Sequence, residues 1–284
     1  MTGERVVTSR GGFNPTWQRH VAAYALAPQF LGQGSVVDVG CGVGHSYKLL
    51  APRVTVGVDV DPAVLEGQQR ETVAADMRRL PFGPASFDGA VAVHSIEHVP
   101  DPERAVGEIA RVLKPGGVAI LVTPNRLTFA RPDEIIDPYH YVEYDQAALQ
   151  ALCTRFFAGV ELAGVFGSDR YRAIVAREHA KLDRLLRRDR LRLRRFVPRA
   201  VRQRLYDSRL SRERAGDDPE AAAITTDDFS LGHDRLDEAL DLVAICRKSQ
   251  EETGRTAWSR PSRRRTRTPA TRRAGPTRWL TTPT

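Results

Sequence analysis

Three glycines and two acids near the start of this 284-residue chain have a spacing that suits a nucleotide site. Gly40, Gly42 and Gly44 follow an apolar run that contains Asp38, and a second apolar run ends at Asp59. Because glycine has no Cβ, such a turn lets the backbone approach a ligand closely. An acid at the end of the second strand suits two ribose hydroxyls. The pattern predicts an adenosine-containing cofactor.

The spacing of the glycines distinguishes two classes of cofactor. Dinucleotide-binding proteins carry G-x-G-x-x-G, with the helix N-terminus against a pyrophosphate. Here the order is G-x-G-x-G, and His45 stands where the third glycine of that fingerprint would fall. The spacing therefore disfavours a nicotinamide-dependent dehydrogenase, which is the rival interpretation of this turn.

Four segments, in order along the chain, resemble the motifs of the class I S-adenosylmethionine (SAM) methyltransferases, in their methyltransferase type 11 or ubiquinone-biosynthesis-like branch. They are VVDVGCGVG (36–44), VGVDVDP (56–62), AADMRRLPF (74–82) and the long segment 86–125. The resemblance covers about residues 35–168. It implies SAM as the cofactor, with Asp59 at the ribose and Asp76 at the adenine amine.

The resemblance also implies a wider set of cofactor-binding residues, in the glycine turn and at the ends of the next strands. These are Asp38, Gly40, Cys41, Gly42, Gly44, Asp59, Val60, Asp76, Met77 and His94. The implied fold class is α/β: a Rossmann-like, mostly parallel sheet of seven strands with helices on both faces and an antiparallel last strand. An Arg-rich helical insertion would precede that last strand. In such sheets ligands bind at the carboxyl ends of the strands.

The segment HSIEHVPD carries the best candidates for chemistry on the methyl acceptor. His94, Glu97 and His98 follow the fourth predicted strand, and His140 follows the fifth. Orientation alone can supply about 7–11 kcal/mol in a displacement of this kind, so what remains is to take the proton of the acceptor. We expect Glu97, His98 and His140 to be catalytic, because an imidazole titrates near neutrality and can act as a general base.

Two other interpretations of the same residues stay open. The spacing H-x-x-E-H is similar to the E-x-x-E-H of ubiquinone-pathway O-methyltransferases and small-RNA 3′-terminal 2′-O-methyltransferases, in which a divalent ion is held. The candidate metal ligands would be His94, Glu97, His98 and His140, without a firm set. His94 replaces an acid, which weakens a Mg²⁺ site and suits a softer ion. Alternatively these side chains only pack, and His94 lines the methionine end of SAM.

The acceptor is constrained by an absence. No N-P-P-Y signature, typical of methylation at amide or exocyclic amine nitrogens, follows the fourth strand. We therefore expect transfer to a hydroxyl oxygen of a small-molecule, sugar or lipid acceptor. The alternatives are an RNA-directed 2′-O-methyltransferase and a non-catalytic SAM-binding adapter. Few aromatic residues accompany the Arg-rich segments for stacking on bases, and the cofactor motifs are intact.

Apolar periodicity predicts the elements that position these residues. Strands are expected near 35–39, 54–59, 71–75, 87–94, 117–123, 156–166 and 239–247. Helices are expected near 16–31, 43–50, 62–68, 101–113 and 145–154. The first helix carries His20 and Tyr24, and it could either cover the cofactor or pack as an ordinary surface helix.

Charge divides the chain into regions. The net charge is +8, yet residues 169–214 carry +11 and residues 248–284 carry +8, so the remainder is acidic at −11. We divide the chain into a flexible leader (1–15), the SAM-binding domain (16–168 and 215–248), a basic amphipathic helical insertion (169–214) and a disordered basic tail (249–284). Most basic residues are Arg throughout, as codon bias would produce, and this weakens arguments from Arg content.

The insertion and the composition suggest where the protein works. Within 181–214, apolar residues at helical spacing alternate with arginines, so this stretch could pack as a lid or contact an anionic membrane or lipid. Nucleic acid is a less favoured partner. No 18-residue apolar run or secretory h-region is seen, and the three cysteines lack disulfide or metal spacing. We expect a cytoplasmic protein, at most peripheral to a membrane.

Overall fold

The computed structural model describes residues 14–129, 135, 137–186, 197–198, 200–204 and 218–250. The strands are β1 (Ser35–Val39), β2 (Val54–Asp59), β3 (Glu71–Ala74), β4 (Phe87–Val93), β5 (Leu113–Pro124), β6 (Gly159–Gly167), β7 (Phe229–Gly232) and β8 (Asp241–Arg247). The helices are α1 (Asn14–Leu26), α2 (Pro102–Val112), α3 (Arg126–Phe129), α4 (Gln146–Thr154), α5 (Asp169–Leu186) and α6 (Pro219–Ala222).

All eight strands form one sheet in the order β3-β2-β1-β4-β5-β8-β6-β7. The five strands from β3 to β5 are parallel, and β8 runs antiparallel to both β5 and β6. Central strands such as β1 are buried on both faces because both faces are covered, as parallel sheets require. The strand order reverses between β1 and β4, so the crevice for a ligand opens at their carboxyl ends.

Two apolar cores cover the two faces of the sheet. One includes α2 and α4, represented by Ile109 and Leu149, and the other includes α1, represented by Tyr24. Helix α2 begins where Asp101 accepts a hydrogen bond from the backbone N–H of Arg104, and α4 begins at Asp145 in the same way. These caps fix where the loops after β4 and β5 end.

The expected α/β Rossmann-like fold with antiparallel late strands is confirmed. The sheet has eight strands instead of seven, because Phe229–Gly232 adds a short antiparallel strand beside β6. The segment was not predicted as a strand, because its four residues, Phe-Ser-Leu-Gly, are at the lower limit of length at which alternation indicates a strand. It extends the edge of the sheet without altering the crevice.

The two helices expected at 43–50 and 62–68 are wrong. The structure has 3₁₀ turns instead, at His45–Lys48 and Pro62–Val64. Gly44, at φ 78°, sets the start of the first turn, and the chain must return to β2 within a few residues. The second turn is followed closely by Gly67, at φ 73°, a conformation that a continuing helix does not allow.

The predicted insertion is described only in part. Helix α5 packs Tyr171 and Ile174 against Ile224, next to α6, while its Arg177 pairs with Glu220. This supports packing on the body of the protein for the first turns of α5. Residues 187–196, 199 and 205–217 lie outside the described residues, so the predicted lid or membrane contact of 181–214 stays a prediction. Among the described helices, none combines the length and apolarity needed to cross a bilayer.

The chain remains paired with the sheet just beyond β8. The backbone N–H of Lys248 donates to the carbonyl of Gly117 at 2.9 Å, and that of Gly116 donates to Ser249 at 3.0 Å. The predicted tail, 249–284, therefore begins with residues that contact the domain. Residues 1–13 of the predicted leader and 251–284 of the tail lie outside the described residues.

Candidate active site

The glycine turn after β1 has the open backbone that the sequence predicted. Gly40, Gly42 and Gly44 have φ of 79°, 52° and 78°, in the left-handed region where glycine is favoured. A Cβ at Gly40 would lie 2.5 Å from Cβ of Ser95, whereas no atom of the described residues stands within 4 Å of one at Gly42. The turn is thus pressed against the end of β4 on one side and open on the other.

Asp59 stands at the end of β2, beside this turn. Its Oδ2 accepts from the backbone N–H of Gly42 at 3.0 Å and its Oδ1 from that of Asp61 at 3.0 Å. An ionised carboxylate has about four lone-pair sites, so it can accept more hydrogen bonds than these two. The next residue, Val60, is 70% exposed, unusual for an apolar side chain in this domain. The arrangement fits two ribose hydroxyls and an apolar ring face.

Asp38 is fully buried and is held by three donors. Its oxygens accept from the hydroxyls of Tyr24 (2.9 Å) and Ser46 (2.5 Å) and from Nη2 of Arg70 (2.8 Å). Such a paired, hydrogen-bonded carboxylate is compatible with burial. Through these hydrogen bonds, Asp38 holds the glycine turn in place and links it to Tyr24 of α1.

The other predicted cofactor residues occupy different environments. Asp76 accepts from the backbone and guanidinium of Arg78, and these hydrogen bonds hold the pKa of Asp76 below its usual value. Met77 lies in the core, with its Cε 3.6 Å from where a Cβ of Gly40 would be. Cys41 is buried in the turn, and burial raises the pKa of its thiol to about 12, so it is unreactive.

His94, just after β4, lies among aromatic rings and charges that the sequence did not connect. Its Nε2 is 2.9 Å from Oδ1 of Asp241, which also receives the guanidinium of Arg19. The ring of His20 stands edge-on to that of His94, with centroids 5.1 Å apart, and contacts His45 at 4.9 Å. Burial holds the pKa of His20 well below its usual value.

Glu97, His98 and His140 form a separate group at the ends of β4 and β5. Their ligand atoms all lie within 4.8 Å of one another. Glu97 is 1% exposed, and its Oε2 accepts from the hydroxyl of Thr123 at 3.1 Å. Its Oε1 is buried and makes no hydrogen bond with any part of the chain that the structure describes. His94 lies outside this group. An unsatisfied buried carboxylate oxygen beside two imidazoles is an uncommon arrangement that points to a ligand or a proton.

His140 is the more basic imidazole of this group for a reason visible in its contacts. Its Nδ1 lies 3.2 Å from Oε1 of the buried Glu143. Burial alone would lower the pKa of His140, but this hydrogen bond and the charge of Glu97 outweigh it and raise the pKa above 6.5. Because Nδ1 faces Glu143, Nε2 is the nitrogen that can exchange a proton with an acceptor.

The group also has a donor set that could hold a divalent cation. Two imidazole nitrogens and one carboxylate oxygen suit Zn²⁺ or another transition metal better than Mg²⁺. Oε1 of Glu97, which has no hydrogen bond within the described residues, is consistent with such a ligand. These residues therefore fit either a metal ion or a proton-accepting role.

Four candidate functional residues were not predicted from the sequence: Arg19, Arg70, Glu143 and Asp241. Glu143 is three residues after His140, and that helical spacing could have suggested it. Nothing in the sequence links Arg19 or Arg70 with its partner acid. Asp241 begins the last apolar run, but its partner His94 is 147 residues away.

Comparison with known proteins agrees with this geometry. Residues 37–121 match a family model described as a methyltransferase domain. A Mycobacterium tuberculosis (strain H37Rv) protein named as a probable S-adenosylmethionine-dependent methyltransferase is 33% identical over 259 residues, which is 86% of this chain and 88% of that protein. A Mycolicibacterium smegmatis protein with the same kind of name is 32% identical over 257 residues, 86% of this chain and 93% of that protein.

Solved structures share the fold at low identity. A SAM-dependent methyltransferase of Thermotoga maritima has a TM-score of 0.56 at 16% identity, over 84% of this chain and 93% of that one. The [4+2]-cyclase SpnF has a TM-score of 0.52 at 19% identity, over 88% of this chain and 87% of that one. The fold alone thus does not decide the reaction, but the long sequence match does: this chain belongs to the S-adenosylmethionine-dependent methyltransferases.

Proposed function

We propose that the enzyme transfers the methyl group of SAM to a hydroxyl oxygen of a small-molecule, sugar or lipid acceptor. The observation that carries the proposal is the buried Oε1 of Glu97, which makes no hydrogen bond within the described residues and lies 4.0 Å from Nε2 of His98, close to His140. A hydroxyl must lose its proton as its oxygen attacks, and this group can receive it. An amine acceptor would not need a base of this strength.

The cofactor would lie across the ends of β2, β1 and β4. Asp59 would accept the two ribose hydroxyls, and Val60 would cover one face of the adenine. The open backbone at Gly42 leaves room for the rest of the molecule. Asp76 could accept from the adenine amine with its remaining lone pairs, since it already accepts from Arg78.

In the reaction, the hydroxyl oxygen forms a bond to the methyl carbon as the carbon–sulfur bond breaks. The sulfur leaves with the bonding pair as the neutral thioether S-adenosylhomocysteine. The hydroxyl proton passes to Nε2 of His140, whose Nδ1 is held by Glu143. The imidazolium that forms is stabilised by Glu97 and Glu143, both buried. A divalent ion on Glu97, His98 and His140 would instead polarise the hydroxyl.

Named relatives support oxygen as the acceptor atom. An O-methyltransferase of Penicillium expansum is 37% identical over 125 residues, 36% of this chain and 45% of that protein. Tocopherol O-methyltransferase of Arabidopsis thaliana is 30% identical over 136 residues, 43% of this chain and 38% of that protein. These matches are partial, and a sterol 4-C-methyltransferase of Caenorhabditis elegans also matches, over 98 residues. The acceptor atom therefore has to be tested directly.

The test uses SAM with an isotopically labelled methyl group and pairs of acceptors that differ only in a hydroxyl or an amine. Sugars, phenols and long-chain alcohols would each be offered in such pairs, and the products identified by mass spectrometry. We expect label only on hydroxyl compounds. Label on the amine partner alone, or on carbon, would refute the proposal.

The variant Glu97→Ala separates the acceptor site from the cofactor site. We expect turnover to fall about 100-fold or more, in the range for loss of general acid–base assistance, while SAM affinity changes little. Glu103→Ala, which removes an exposed carboxylate from the first turn of α2, is the matched control and should change neither turnover nor SAM affinity. Equal losses of turnover and SAM affinity would mean that Glu97 binds the cofactor and not the acceptor. If the wild-type enzyme keeps its activity after EDTA treatment, the group of Glu97, His98 and His140 does not need a metal ion for catalysis.

A further inference from the structure

Asp241 anchors a group of charges beside the cofactor crevice that takes no part in the acceptor chemistry above. It is fully buried at the first residue of β8. Its carboxylate accepts from Nε of Arg19 at 2.8 Å and contacts Nε2 of His94 at 2.9 Å. An ionised carboxylate only accepts hydrogen bonds, so Nε2 of His94 must be the donor. In the neutral ring, the lone pair is then on Nδ1.

The contact with Asp241 occupies Nε2 of His94 and leaves Nδ1 as the ring nitrogen that can accept a hydrogen bond. Its side chain is 16% exposed, and within the described residues Nδ1 has no hydrogen bond. The backbone has φ 47°, in the left-handed region that non-glycine residues rarely adopt. The N–H of His94 nevertheless donates to Val122 at 2.8 Å, and its ring is fixed by Asp241. Backbone and ring are thus both constrained in favour of one orientation.

The order of the strands decides which part of the cofactor reaches His94. β2, with Asp59, lies on one side of β1, and β4, with His94, lies on the other. A cofactor with its ribose on Asp59 that crosses the glycine turn brings its amino-acid end to β4. His20 and His45 line the same compartment, which is the space around His94. Among the described residues, Nδ1 of His20 and both ring nitrogens of His45 are buried and have no hydrogen-bond partner. Unsatisfied buried nitrogens of this kind point to a polar ligand.

We propose that Asp241 is a positioning residue which, by binding Nε2–H of His94, presents Nδ1 to the α-ammonium group of SAM. Arg19 holds the other side of the Asp241 carboxylate and ties α1 to the same point. The inference rests on the cofactor orientation proposed above. It adds an acceptor for the ammonium group, and it makes the last strand and the first helix parts of the cofactor site.

The neighbouring rings fit a cationic ligand. Burial lowers the pKa of His45 to about 4 and that of His20 well below its usual value, so both are neutral at pH 7. Neutral imidazoles do not repel an ammonium or a sulfonium group, and each offers one lone pair. The compartment can therefore accept the positive end of SAM without a further acid.

The first test compares S-adenosylhomocysteine with 5′-methylthioadenosine, which lacks the amino-acid end, in calorimetric titrations. In Asp241→Asn, we expect the single acceptor oxygen to face Arg19, so that the amide N–H₂ faces His94. Because this N–H₂ is a donor, Nε2 of His94 must accept, and the ring proton moves to Nδ1. We expect the affinity for S-adenosylhomocysteine to fall about tenfold, with that for 5′-methylthioadenosine unchanged. Asp237→Asn, on the exposed turn nearby, should change neither affinity.

Equal losses for both ligands would make Asp241 purely structural and overturn the inference, as would no loss for either. Failure of the cofactor orientation itself would look different. In that case Asp59→Ala would leave the affinity for 5′-methylthioadenosine unchanged, whatever Asp241→Asn does. The two failures are therefore distinguishable in one series of titrations.

A second test identifies the ring nitrogen. In His94→Asn the amide oxygen can take the place of Nδ1, whereas in His94→Gln it lies nearer the place of Nε2. Asn also tolerates the left-handed backbone better, so the two ligands are compared within each variant. We expect the preference for S-adenosylhomocysteine over 5′-methylthioadenosine to be retained in His94→Asn and lost in His94→Gln. The same preference in both variants would contradict a role for Nδ1.

Discussion

The hydroxyl of Tyr24 lies 2.9 Å from Oδ1 of Asp38, and this hydrogen bond joins the first helix to the acid that precedes the glycine turn. Both residues are fully buried, and Ser46 and Arg70 complete the shell around the carboxylate. The cofactor turn is therefore not an isolated loop. Its position depends on a helix that lies outside the motif.

Removing that hydroxyl should loosen the turn. In Tyr24→Phe a buried carboxylate loses one of its donors, and we expect the free energy of unfolding to fall by about 1.5–3 kcal/mol. Urea denaturation followed by circular dichroism measures it. Tyr47→Phe is the matched control, because within the described part of the chain the Tyr47 hydroxyl makes no hydrogen bond, and its change should stay within about 0.5 kcal/mol. Similar values for both variants would contradict the prediction.

Asp59→Ala should weaken SAM binding while the protein stays folded. The lost hydrogen bonds to the ribose predict a fall in affinity of roughly 10- to 100-fold. Isothermal titration calorimetry measures the affinity, with melting temperature as the folding check. Asp61→Ala removes the same charge two residues away and should leave the affinity near that of the wild type. Unchanged SAM affinity in Asp59→Ala would show that Asp59 does not bind the ribose.

The dependence of turnover on pH should report the contact between Glu143 and His140. A base works unprotonated, so kcat/KM should rise with pH through the pKa of His140, which lies above 6.5. Glu143→Gln removes the anion that favours the imidazolium. The pKa of His140 should then fall, and the rising limb should move to lower pH. A limb that stays in place in this variant would mean that another group is the base.

The end of the stable domain should fall after Ser249. Truncation after Glu252 keeps the backbone pairs of Lys248 and Ser249 with the sheet and should leave the free energy of unfolding unchanged. Truncation after Arg247 removes both pairs, and at about 0.5–1.5 kcal/mol each the loss should be about 1–3 kcal/mol. Chemical denaturation of the two truncated proteins decides between them. Equal stability would show that these pairs contribute nothing.

The sequence determined the class of the enzyme and the location of the crevice. The crevice is marked by local features, namely valine-rich runs with glycines and acids at their ends. Such features can be recognised in the sequence because they involve residues that are neighbours along the chain. Asp59 stands at the end of β2 and Glu97 just after β4, as the spacing predicted. Two helices were predicted in error because apolar spacing does not show how short a connection between parallel strands can be.

Only the tertiary structure decided which of these residues act together. His94 and Glu97 are three residues apart in the sequence. The left-handed backbone at His94 and the turn at Ile96–His98 nevertheless place His94 beside Asp241 and Glu97 beside His98 and His140. His94 instead meets Asp241, because β5 pairs in parallel with β4 on one side and antiparallel with β8 on the other. The end of β4 and the start of β8 therefore lie at the same edge of the sheet, one strand apart. Pairing between distant strands depends on the packing of the whole sheet, which no local spacing encodes.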